Sequence, residues 1–193
     1  MKSSVKKLFI LATLALLPTF AWGQVDQFSA LDTVYAEVGQ INETTWTITV
    51  SVFNDEYVQA LSIPLELHAG QTKIVADSAV YTGGRVEEFT FKGFRADTTI
   101  QCVTLGLVAN MGPTQNFMPP SKGGPGRVAT VFVSSLDGSP IKELLIDTTT
   151  THPNNSLMMI AYAIQFTDPP DTIPQAEAEK LTIVPAFVFK KAE

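Results

Sequence analysis

Two histidines, one cysteine and a scatter of carboxylate pairs are what this 193-residue chain offers for chemistry. Serine-type hydrolysis needs a histidine beside the nucleophile, held by a third group. His68 and His152 both fall in turn-forming sequence, and the chain contains no G-x-S-x-G elbow. Neither histidine has partners at the spacing of a zinc motif, so no metal-ligand set is expected around them. Acids pair at Asp55 with Glu56, Glu87 with Glu88, Asp168 with Asp171, and Glu177 with Glu179. A glycosidase needs two carboxyls converging across a cleft, which neighbours on one strand do not supply. These acids read as solvated surface, and no catalytic residue is assigned. Asp55 and Glu56 remain as calcium candidates, because a corner carboxylate pair offers hard oxygen ligands, although the D-x-[DN]-x-[DN]-G loop is absent.

The elements that must position these groups are short and alternating. From Thr45 to Leu67 the chain reads TWTITVSVFNDEYVQALSIPLEL. Trp46, Ile48, Val50 and Val52 fall on one side and Thr45, Thr47, Thr49 and Ser51 on the other, which is the period of a half-buried strand. Leu61, Ile63, Leu65 and Leu67 repeat the pattern after a polar corner at Phe53 to Tyr57. Pro64 cannot donate to a ladder, so its strand is expected at a sheet edge or bulged there. Further strands are expected over Asp32 to Val38, Lys73 to Tyr81, Val86 to Phe94, Arg127 to Ser134, Leu157 to Phe166 and Leu181 to Phe189. Thr99 to Ala109 is apolar on both faces and is expected in the middle of a sheet; Cys102 within it reads as a buried thiol without a disulfide partner. Asp137-Gly138 predicts a hairpin to a strand over Ile141 to Thr148. With no helical period between these runs, the expected fold is an all-β antiparallel sandwich.

Between the strands, Asn110 to Gly126 is a loop rich in Pro and Gly. Phe117 and Met118 in it are either exposed partner-binding candidates or tucked over the core. A sugar platform would need exposed aromatics; Trp46 is on the buried side, while Tyr57, Tyr81, Phe89 and Phe91 form a stripe only if their strands are adjacent. Asn42-Glu43-Thr44 and Asn154-Asn155-Ser156 fit the glycosylation acceptor pattern.

Lys2, Lys6 and Lys7, the apolar run Leu8 to Leu17, and Ala21-Trp22-Gly23 read as a secretory signal peptide over residues 1–23, cut before Gln24. That places the product outside the cytoplasm, extracellular or periplasmic, as one domain over 24–193 without a membrane span. Removing the leader takes three lysines and no acid, leaving a net charge of -9 in place of -6. Such an acidic chain lacks the clustered Lys and Arg that hold phosphate backbones, so nucleic acid is set aside.

Several of these segments together resemble a cohesin-like domain, the β-sandwich family of cellulosomal scaffoldins, related to some carbohydrate-binding modules. The resemblance rests on Phe53-Asn54-Asp55-Glu56 after an alternating strand, Val58 to Leu65, Gly83-Gly84-Arg85-Val86, Gly126 to Val133, and Ile183-Val184-Pro185-Ala186-Phe187-Val188. It implies a jelly roll of about nine strands that binds a protein partner, a calcium-loaded dockerin in the best-known cases, through one sheet face. Against the family pattern, the last strand lacks a following Pro-Gly, and His68-Ala69-Gly70 stands where Tyr-Asp-Pro is familiar. The expected function is therefore a non-catalytic protein-interaction module. The alternatives are a carbohydrate-binding module on the same scaffold or a self-assembling structural subunit pairing through strand edges.

Overall fold

The computed structural model of the chain describes residues 31–109, 117–148, 156–163 and 179–191. Eleven strands lie within them: β1 (Thr33–Asn42), β2 (Thr45–Phe53), β3 (Tyr57–His68), β4 (Ile74–Val80), β5 (Phe91–Asp97), β6 (Cys102–Val108), β7 (Gly126–Ser135), β8 (Leu145–Asp147), β9 (Met158–Ala163), β10 (Glu179–Ile183) and β11 (Ala186–Lys190). The first sheet runs β11-β1-β2-β7-β4 and the second β10-β9-β3-β6-β5, with β8 also paired to β3. The ladders are antiparallel except β1 with β11, which is parallel. The expected sandwich is thus present with more strands than expected and one parallel edge.

Alternation builds it. Ile48, Val50 and Val52 of β2 are fully buried and Trp46 nearly so, facing Leu61, Ile63, Leu65 and Leu67 of β3 and Val103, Leu105 and Leu107 of β6 in one core. Each such side chain contributes about 1.5–3 kcal/mol relative to exposure. A one-residue slip would turn every one of them outward, and this pins the register.

Four expectations about elements change. Pro64 does not mark an edge strand: β3 is central, between β9 and β6. Its pairs with β9 end at Ser62 and those with β8 begin at Glu66, so Pro64 sits where that side of the ladder is open, while the bulge lies at Val58/Ala60. A missing N–H costs nothing at such a gap.

Val86 to Phe94 is not one strand. Successive i→i+3 hydrogen bonds (Gly84 N–H to Tyr81 O, Glu87 N–H to Gly84 O, Phe89 N–H to Val86 O) wind residues 81–89 into turns, and β5 starts only at Phe91. The winding lets Val86 and Phe89 both enter the core, which a strand would allow only for residues of one parity.

The Asp137-Gly138 turn forms, with Gly138 at φ 76° and the Asp137 carboxylate accepting from Ser139 N–H and Ser135 Oγ. It does not make a hairpin: β8 pairs with β3 of the opposite sheet. Ile141 and Leu144 are buried in the crossing segment, closing that end of the sandwich.

Leu181 to Phe189, finally, is two strands in different sheets, divided at Val184-Pro185. The proline cannot carry a ladder across, so β10 ends one sheet and β11 begins at the edge of the other. The signal segment, Asn110, His152, the Asn154 acceptor and the acids Asp168, Asp171 and Glu177 lie outside the described residues.

Candidate interaction face and carboxylate cluster

Because β-strand side chains alternate, each sheet turns one row of residues away from the core, and the two outer faces differ in chemistry. On the second sheet the register sets Phe91, Val108, Ala60, Ile160 and Thr182 in one row across β5, β6, β3, β9 and β10. The next row is Gly93, Gly106, Ser62 and Met158, and then Arg95, Thr104 and Pro64. The face is flat, small-residued and mostly apolar. Phe91 is 56% exposed, more than any other aromatic among the described residues. Its ring lies over Gly93: a Cβ built there would sit 2.8 Å from the ring, and one on Gly106 would sit 3.6 Å away. The two glycines make the bed on which the ring lies flat.

The first sheet turns out Thr45, Thr47, Thr49 and Ser51 from β2, with Thr130, Phe132 and Ser134 from β7 and Tyr35, Glu37 and Gly39 from β1. That face is hydroxylated over β1, β2 and β7, with exposed Val188 and Val80 on its edge strands β11 and β4.

At the arch from β2 to β3 the chain passes from one sheet to the other through Asn54-Asp55-Glu56. Asn54 is buried, donating from Nδ2 to the carbonyls of Glu56 (2.6 Å) and Pro119 (3.2 Å). Its Oδ1 accepts from Arg85 Nη1 at 2.7 Å, and the same nitrogen donates to Val52 O and Ser121 Oγ, while Nη2 donates to Pro119 O. Burial lowers the Arg85 pKa from its ordinary value.

Beside this hub the structure joins the calcium candidates Asp55 and Glu56 with a third acid, Asp32, one ligand oxygen from each lying within 4.8 Å of the others. Asp32 and Glu56 are buried. Three carboxylates this close favour either a shared proton or a cation, and an all-oxygen donor set suits calcium rather than zinc. Asp32 joins them through the antiparallel register, which pairs Thr33 with Phe53 and so sets residue 32 beside residue 54.

The remaining candidates disperse. Met118 is fully buried and its backbone exchanges hydrogen bonds with Val58 at 2.9 Å, and Phe117 stacks on Tyr162 with ring centroids 5.3 Å apart. Their apolar surface is spent on the core edge, so the tucked arrangement holds and neither offers an exposed partner-binding loop. Tyr81 and Phe89 pack on the core while Phe91 faces out, so no aromatic stripe forms from them with Tyr57. His68 sits at the exposed end of β3, 3.7 Å from Glu66. Cys102 is a buried free thiol, its pKa pushed up chiefly by burial.

No protein-family model matches the sequence, and no curated protein matches it. Solved structures do. The seventh ScaB type I cohesin from Pseudobacteroides cellulosolvens superposes with a TM-score of 0.50 over 84% of this chain and 92% of its own, at 6% identity. The second type II cohesin module of the ScaA scaffoldin of Acetivibrio cellulolyticus matches at 0.46 and 7% identity, covering 84% and 95%. CaCohA2 from Clostridium acetobutylicum matches at 0.45 and 11%, covering 80% and 91%. With so few residues in common, the first of these likenesses is one of backbone architecture, and that architecture is the cohesin fold.

Proposed function

We propose that the chain is a non-catalytic module, exported by its N-terminal leader, that binds a protein partner through the outer face of its second sheet. The observation that carries this is the contrast between the two faces. Monomers seldom leave an apolar strip in water unless something covers it, and the row Phe91, Val108, Ala60, Ile160 is such a strip, exposed at Phe91 and partly exposed along the rest, on an otherwise acidic chain. An exposed aromatic held rigid by its neighbours is the kind of group that anchors an interface. The cohesin fold supports the same reading, and a calcium-loaded dockerin is the partner class that the sequence resemblance implies.

The test is calorimetric titration of residues 24–193 with a panel of type I and type II dockerins. Binding is expected for at least one, weakened at least a hundredfold by Ala60→Arg in the middle of the face and unaffected by Thr49→Arg on the opposite sheet. Absence of binding across the panel would remove the dockerin assignment, and loss with Thr49→Arg alone would remove the face. A hydrolase activity abolished by one Asp or Glu change would overturn the non-catalytic reading. Export is checked by the mature N-terminus, expected at Gln24.

Calcium belongs to the same proposal, at Asp55 and Glu56 with Asp32 as third ligand. Calcium added to chelator-treated protein should raise the melting temperature, and Asp32→Asn should abolish the gain. A melting curve indifferent to calcium would discard the site.

A further inference from the structure

Where β1 and β2 approach the segment leading into β8 and the residue after β11, the chain leaves a recess of about 420 Å³ lined by Val38, Trp46, Lys142, Glu143, Leu144 and Lys191. Small-molecule sites have volumes of about 300–1,000 Å³ and are mostly apolar, with a few placed polar groups. Val38 and Leu144 are buried and form the floor with Trp46, while Lys142, Glu143 and Lys191 are exposed and form the rim.

Two groups of this recess are unmatched within the protein. Trp46 is only 8% exposed, and its indole N–H meets no acceptor. A buried donor in that position is costly unless an oxygen from outside the fold reaches it. At the rim, Lys191 Nζ donates to Glu143 Oε1 at 2.7 Å, which matches the one acid of the lining. Lys142 is left over. Among the described residues it forms no ion pair, neither with Glu43, whose carbonyl accepts from the adjacent Ile141 N–H at 2.7 Å, nor with Glu37. An apolar floor, a donor without an acceptor and one cation in excess thus meet on a chain whose net charge is -6.

We propose that this recess binds a small organic anion, a carboxylate carried on a compact ring. The ring covers Val38, Leu144 and the indole, a ligand oxygen accepts from the Trp46 N–H, and the carboxylate pairs with Lys142. A neutral molecule would leave the lysine unused, and an extended polyanion would need clustered cations that one lysine does not supply. Sugar acids and aromatic acids share the required chemistry, and the test separates them. The recess shares no residue with the apolar row of the second sheet, so this inference and the partner-face proposal stand or fall separately.

Trp46 is the single tryptophan of residues 24–193, so the fluorescence of that chain reports on this recess alone. Titration with glucuronate and with benzoate should change the emission saturably for at least one of them, with an affinity at least tenfold above that of its neutral counterpart, glucose or benzyl alcohol. Calorimetry should find that affinity reduced at least tenfold in Lys142→Glu and in Trp46→Phe, which keeps an aromatic ring and removes the donor. It should be kept in Lys122→Glu, the same change of charge beside Ser121, which bonds Asn54 past the far end of β2. Melting curves guard against reading loss of fold as loss of binding; if Trp46→Phe unfolds, Lys142→Glu and Lys122→Glu decide alone. No response to either anion overturns the proposal. So does an equal response to the neutral counterparts, or an equal loss in Lys122→Glu, which marks the charge of the whole chain and not a site.

Discussion

Arg85 shows at the scale of one residue how this fold joins its parts. One guanidinium nitrogen bonds Val52 O, Asn54 Oδ1 and Ser121 Oγ, and the other reaches Pro119 O, so a single side chain ties the end of β2 to the loop before β7. Removing it takes the shorter bond from acceptors that keep only longer ones from Asn54 and Ser121, at about 0.5–1.5 kcal/mol for each bond lost. Arg85→Met should therefore destabilise by about 3 kcal/mol, seen as a lower urea midpoint with unchanged slope. Arg85→Lys should recover little of it, because a point ammonium cannot reach acceptors arranged for a planar fork. Cys102 gives the prediction in pH. Burial raises its pKa, so the folded state favours the protonated thiol. The associated stability is complete below the unfolded thiol pKa and is lost as pH rises through the higher folded value. A disulfide reagent at pH 8 should modify Cys102 at least tenfold more slowly in folded protein than in urea, and equal rates would refute its burial.

At the scale of elements, what could be read from the residues was period, and what could not was destination. The alternation of Thr45 to Phe53 yields both the strand and its buried face, because a period of two has only one way to hide Trp46, Ile48, Val50 and Val52. Apolar residues on both faces, not alternation, put β6 in the interior of a sheet. Alternation misled over Val86 to Phe94, where alternating residues belong to consecutive turns; the decisive interactions are with β7, far away in sequence. Gly84 is the clearest case. A Cβ there would sit 2.9 Å from Tyr81 O, 3.1 Å from Arg127 O and 3.2 Å from Val128 O, all backbone atoms that cannot swing aside. Gly84→Ala should cost about 2 kcal/mol or more through this overpacking, read as a fall in melting temperature. Gly123→Ala is a poor control because of its positive φ, so Gly106→Ala, with only an ordinary 3.6 Å contact to Phe91, is the better comparison. Asp137-Gly138 failed for a related reason: turn chemistry says that the chain reverses, and only packing says which sheet receives it. The carboxylate cluster was two-thirds visible, through adjacency of Asp55 and Glu56, and its third member needed the β1–β2 register.

For the whole molecule, the consequence of the sandwich is that its two outer faces look in opposite directions with the core between them, so they can be chemically unlike and occupied at once. The apolar row on the second sheet and the hydroxyl array on the first share no residue. Substitutions on one should leave the other untouched, since distant sites without shared partners add nearly independently. Dockerin affinity should therefore change by less than about threefold in Phe132→Ala and Thr47→Ala on the first sheet, while Ala60→Arg on the second abolishes it, and titration of the three variants checks the contrast. A larger effect from the first-sheet variants would mean that the core transmits strain from one sheet to the other and that the faces are not independent.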